Sequence, residues 1–170
     1  MTVNEIFENL ASHMLKGAMF HEELSNYFGF LNLCCYQKRH EKHFYCELKN
    51  YRHICKYYLC HYDKLLKYEH DSEDIIPLNW YRYERQDVDT STKRNAVKTA
   101  IEKWVEWETE TKAFYQQMYK ELITLNEIAT AEKLSCYIHD VSKELKEAKH
   151  HHLMLKSVDY DINFIIGENE

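Results

Sequence analysis

Four polar residues stand at inward steps of helical stripes that are otherwise apolar, and they are the groups in this chain best placed to do chemistry. His21 falls between Gly17 and Leu24 on a run that repeats every three and four residues, and Glu108 falls between Trp104 and Thr111 on another. Glu47 lies on the side of Phe44, Tyr51 and Tyr58, and Glu144 at the edge of a stripe beside Val141, Leu145 and Ala148. Burying a carboxylate is costly unless it is paired or bound to a cation. Three that lie close together cannot all ionise without countercharge, so they share protons or hold metal. Oxygen and imidazole donors suit Fe, Mn or Zn, and bundle cores are common places for such sites. The pattern therefore points to one or two transition-metal ions held by His21, Glu47, Glu108 and Glu144, with Tyr51 and Thr111 supporting the ligands through hydrogen bonds. Catalytic residues are not assigned. No organic cofactor is expected, and a hydrolase or transferase reading has little to stand on, because the chain has no Gly-rich phosphate loop, no nucleophile elbow and no Cys–His pairing at a known spacing.

Long helices must position these residues. With three glycines and one proline in 170 residues, few positions break a helix. Periodicity predicts helices over about 3–33, 38–67, 91–124 and 127–156. The first carries Phe7, Leu10, Met14, Gly17, His21, Leu24 and Phe28 on one face. The second is read through Phe44, Leu48, Tyr51, Cys55, Tyr58 and Tyr62. The third carries Val97, Ile101, Trp104, Glu108, Thr111, Tyr115, Met118 and Leu122, with Ser91 as its N-cap. The fourth carries Ala131, Leu134, Ile138, Val141, Leu145, Ala148, His152 and Leu155. At about 1.5 Å per residue, His21 and Glu47 lie ~15–18 Å from the first turn, and Glu108 and Glu144 ~25 Å from the opposite one. On a bundle ~45 Å long the four fall within about one helical turn, as a single layer.

Short links near 34–37 and near Leu125 make each helix pair a hairpin, whereas Tyr68 to Thr90 between the pairs is long enough to span the bundle. The expected fold is a single all-α domain over 1–170: an antiparallel four-helix bundle of two hairpins joined by a long crossover, with helix two parallel to helix three. A swapped or two-lobed arrangement is the alternative. Trp80, Tyr81 and Tyr83 are expected to cover apolar bundle surface, and the tail with Tyr160, Phe164, Ile165 and Ile166 to pack back on it.

A net charge of −6 argues against nucleic acid as a partner. No apolar run approaches a membrane span and no signal peptide opens the chain, so no membrane is expected and the location is cytoplasmic. A homo-oligomer is left open. The six cysteines form no CxxC pair and are expected to be reduced, acting as small apolar residues. Near the end of helix four, His152 could approach His40 as a second, weaker metal site.

The stretches Trp104-Val105-Glu106-Trp107-Glu108-Thr109-Glu110-Thr111 and Asp140-Val141-Ser142-Lys143-Glu144-Leu145, with Phe20-His21-Glu22-Glu23-Leu24 more loosely, resemble the ferritin-like superfamily of ferritins, rubrerythrins and Dps-like proteins. The resemblance implies a metal-binding bundle with redox or oxidative-stress chemistry. The sequence also departs from the di-iron pattern. Glu47-Leu48-Lys49-Asn50 and Glu144-Leu145-Lys146-Glu147 have no His where the family's Glu-x-x-His has one, and the literal Glu147-Ala148-Lys149-His150 points off the apolar stripe. A standard ferroxidase centre is not expected. The rival expectation is a structural or interaction protein that keeps the bundle without a functional metal centre.

Overall fold

The computed structural model describes residues 1–64, 66, 89–161, 163 and 164. Among these the chain forms four long helices and no strand: α1 (Val3–Phe30), α2 (Cys34–Tyr62), α3 (Thr90–Thr124) and α4 (Ile128–Ser157). The expected crossover, including Trp80, Tyr81 and Tyr83, lies almost wholly outside the described residues.

Capping fixes where the helices begin and end. Thr2 and Glu5 form a reciprocal capping box at the start of α1. At α3 the cap is Asp89 rather than Ser91: its carboxylate accepts from the Thr92 N–H at 2.7 Å, leaving Ser91 inside the first turn. The two short links share one solution. Asn32 and Asn126 adopt the left-handed conformation at φ 62° and 60°. Behind them the Leu33 N–H donates to the Phe28 carbonyl, and the Glu127 N–H to the Leu122 carbonyl, both at 2.9 Å. This paired closure ends one helix and lets the next begin within three residues, and Asn tolerates the left-handed region that most side chains avoid. The first link is therefore Leu31–Leu33, earlier than the 34–37 the sequence suggests, and α2 gains a turn at its start. At the other end Asp63, also left-handed at φ 56°, stops α2 short of residue 67.

The core is divided. One apolar cluster gathers Phe20, Leu24 and Phe28 of α1, Tyr36 of α2, Val97, Ile101 and Trp104 of α3, and Ala148 and Leu155 of α4. A second gathers Phe7, Leu10 and Met14, then Ile54 and Tyr58, then Tyr115, Met118 and Leu122, then Ala131, Leu134 and Val141. Each helix passes from one cluster to the other, and the polar residues of interest lie at or beside each helix's changeover. The stripes on α1 and α3 are buried as read, except that Leu125, beyond α3, is exposed. On α4 Tyr137 is buried in preference to Ile138. The α2 stripe differs most. Its buried residues are Tyr36, His40, His43, Glu47, Ile54 and Tyr58, while Phe44 and Leu48 are only half-buried. Tyr160 packs into the first cluster as expected of the tail, but Phe164 is exposed. Ile165 and Ile166 lie outside the described residues.

Candidate functional site

Between the two apolar clusters, side chains from all four helices meet. His21 Nε2 of α1 lies 3.4 Å from Glu108 Oε1 of α3, and both residues are almost wholly buried. That oxygen also accepts from the Trp104 indole N–H at 3.1 Å. On its other side, His21 Nδ1 is 3.1 Å from His40 Nδ1 of α2. One ring must donate in that contact and the other accept, which sets opposite tautomers on the two imidazoles. His43 stacks on His21 with ring centroids 4.9 Å apart, and its Nδ1 stands 3.3 Å from Glu144 Oε1 of α4. The geometry thus brings His21, Glu108 and Glu144 into the layer the sequence predicts, and adds His40 and His43.

Glu47 is the fourth predicted residue. It is buried, and Glu144 and Glu108 are the charges that act on it most. Gly17 makes room for it: a Cβ there would stand 3.5 Å from Glu47 Cγ and 3.3 Å from Trp107 Cζ2. The predicted supporting role of Thr111 is not seen; its hydroxyl is 2.9 Å from His13 Nε2, on a ring stacked between Trp107 and Phe114. Nor does His40 approach His152, whose ring lies near Tyr160 instead. It is His151 that turns inward, hydrogen-bonding the Tyr36 hydroxyl at 2.9 Å through Nδ1.

Burial decides the charges. Removal from water, with the positive potential of His43, lowers His21 to about 3, and His40 is held well below the usual imidazole range by burial and its histidine neighbours. Burial and the nearby Glu144 carboxylate push Glu108 up to about 8, and burial with Glu144 and Glu108 raises Glu47 well above the carboxylate range. At neutral pH in the absence of any cation, His21 and His40 are uncharged and Glu108 holds a proton, while burial and the neighbouring carboxylates favour the protonated form of Glu47. The His21–Glu108 contact is then one between neutral groups rather than an ion pair. Among the histidines and glutamates of the layer, two buried atoms have no hydrogen-bond partner, His40 Nε2 and Glu47 Oε2; the buried hydroxyls of Tyr115 and Tyr137, which feel the Glu47 charge, have none either. Each is an open donor or acceptor position in an apolar surround, which costs free energy unless something completes it.

The donor chemistry fits a transition metal, since neutral imidazoles and carboxylates are its usual ligands. The spacing fits in pairs: 3.3–3.4 Å in the His21–Glu108 and His43–Glu144 contacts is close to the ~3.4 Å edge of a tetrahedron with ~2.1 Å metal–ligand bonds. Among the described residues, no group of three or more His, Cys, Asp or Glu side chains is arranged to hold a metal ion.

No family model, curated protein or solved structure matches the chain. The ferritin-like resemblance rests on residues and layout alone. All six cysteines are free, and Cys34, Cys46, Cys60 and Cys136 are exposed, so these four do not serve as core residues. No helix among the described residues is long and apolar enough to cross a membrane.

Proposed function

We propose that this chain is a metal-binding bundle of ferritin-like layout, holding one or two transition-metal ions with His21, Glu47, Glu108 and Glu144, joined by His40 and His43. The observation that carries the reading is the unpartnered pair of buried atoms, His40 Nε2 and Glu47 Oε2, beside two His–Glu contacts at ligand-like separation. A cation in the layer would complete the open positions and let the crowded carboxylates ionise. Bound with a free coordination position, iron or manganese supplies redox chemistry toward oxygen or peroxide. The protein's own contribution is to keep His21 and His40 neutral, to orient His21 through His40 and Glu108 through Trp104, and to exclude water with the apolar clusters on either side.

The layout itself is supported by contact pairs. Asn4 meets Tyr58 and Ser25 meets Gln37, so α1 and α2 are read as antiparallel. His13 meets Thr111 and Phe20 meets Trp107, which gives the same relation for α1 and α3. Helices two and three are then parallel, a relation that a short loop cannot connect and a bundle-length crossover can.

A second reading has its own support. Since the described donors form pairs and no group of three, the layer also works as a proton-sharing polar network inside a structural or interaction protein. Melting temperature with and without chelator separates the two. Metal binding to the native state alone stabilises it by mass action, so the loaded protein should melt higher. Equal melting temperatures, with no bound metal, would favour the network.

A further inference from the structure

The outward face of α2 carries a row of like charge. Lys38, Lys42, Lys49, Arg52 and Lys56 are all exposed, and Tyr45, 62% exposed, stands among them. At 3.6 residues per turn these six positions fall within about 40° of one line along the helix, over a length of ~27 Å. Two open hollows lie end to end on this line, with Tyr45 and Lys49 as their shared border. Glu41 is the one described carboxylate that lines either of them. Among the described residues none of the five cations is ion-paired. By contrast, Lys103 is paired with Glu106 on α3, and Lys143 with Asp140 on α4.

We infer that this row is a docking face for a single-stranded nucleic acid, with the cations set along its phosphates and Tyr45 stacked on a base. The inference does not depend on the metal-binding reading. The net charge of −6 argues against such a partner only when charge is averaged over the whole chain. The row gathers positive charge, unneutralised, on one helix face. Three features favour a phosphate chain over other anions. Four of the five cations are lysines, point charges that suit phosphate and are depleted at protein interfaces. An anionic membrane surface calls for large apolar residues beside the charges, and Tyr45 is the one exposed large hydrophobic residue between Lys38 and Lys56. An open basic groove with an exposed aromatic ring is how single strands are held, the backbone by charge and the bases by stacking.

Fluorescence anisotropy of a fluorescein-labelled oligothymidine of about twelve nucleotides, a usual site size, reads binding as the full chain is titrated in at several salt concentrations. Wild type should bind at low salt, with log affinity falling against log salt at a slope of roughly −2 or steeper, about −0.7 for each phosphate neutralised. Lys42→Gln/Lys49→Gln/Arg52→Gln should weaken binding by roughly tenfold or more and flatten that slope by about 2. Tyr45→Leu should weaken it roughly fivefold with the slope kept, because the ring acts through stacking rather than charge. Lys98→Gln/Lys120→Gln/Lys143→Gln, at exposed positions of α3 and α4, makes the same change in net charge and should bind as the wild type does. Glutamine suits a helix about as well as lysine or arginine, so these variants should fold, which circular dichroism checks. No binding by wild type at low salt, an equal loss in the α3/α4 variant, or equally tight binding of a poly-glutamate peptide would overturn the proposal. So would binding that arises only in Asp71→Asn/Glu73→Gln/Asp74→Asn, which would assign the row to the chain's own acidic stretch.

Discussion

Proton placement in the layer has a consequence for stability that can be worked out in sign. In the metal-free protein Glu108 is raised to about 8 and Glu47 well above its ordinary range, while His21 falls to about 3, His13 and His151 to about 4, and His40 well below its ordinary range. Between about pH 6.5 and 8 the native state keeps a proton on Glu108, and favours one on Glu47, where the unfolded chain has released both. Stability therefore falls as pH rises through that window. Below about 6.5 the unfolded chain takes up protons on four imidazoles that the native state keeps neutral, so stability falls again as pH drops. The chelated protein should show a maximum in melting temperature near pH 6.5, with a lower value at pH 8. A melting temperature that rises from pH 6.5 to 8 would mean that the layer's acids are ionised without metal. The acids were legible in the sequence because a carboxylate on an apolar stripe is conspicuous. His43 was not, and His40 was read only as a partner for His152, because a histidine beside Lys38, Arg39 and Lys42 reads equally well as part of a solvated basic turn.

At the scale of the helix, α2 shows why. Its apolar residues do not form one clean stripe: Phe44 and Leu48 offer a hydrophobic line that runs one position away from His43 and Glu47. Hydrophobicity alone favours the former, whereas packing against α1, α3 and α4 turns the latter inward and leaves Phe44 and Leu48 half-buried. Helices α1 and α3, whose stripes have no such competitor, read correctly almost residue by residue. Gly17 belongs to the same problem of fit. Ala at this position gains helix propensity of up to ~1 kcal/mol, yet its Cβ would press on Trp107 at 3.3 Å. That indole is stacked on His13 at 5.0 Å and Phe20 at 4.9 Å, so it has little room to withdraw. Gly17→Ala should therefore destabilise the fold by about 1 kcal/mol net, the usual cost of overpacking exceeding the propensity gain. Chemical denaturation of the two proteins gives the difference, and a stabilised variant would show that Trp107 and Glu47 yield more easily than their contacts imply.

For the molecule as a whole, two apolar clusters separated by a layer of buried imidazoles and carboxylates make an expensive way to fold a four-helix bundle. Hydrophobic residues of similar volume would stabilise it at least as well, and the proposed metal binding would offset that cost. Helix number and the height at which the polar residues meet were both readable, because helical rise and loop spacing fix them. The exact place of the first link, Leu31–Leu33 rather than 34–37, was not, since a left-handed asparagine such as Asn32 looks like any other loop residue. The central claim is that a metal ion occupies the layer, and metal content tests it most directly. Wild-type protein and the Glu47→Gln/Glu108→Gln double variant, which keeps shape and hydrogen-bonding capacity, would be dialysed against Zn2+ or Mn2+ and analysed for bound metal. At least one tightly held ion per wild-type chain, lost in the folded double variant, is the expected result. Wild-type protein with no bound metal, or a double variant that retains the full complement, would contradict it.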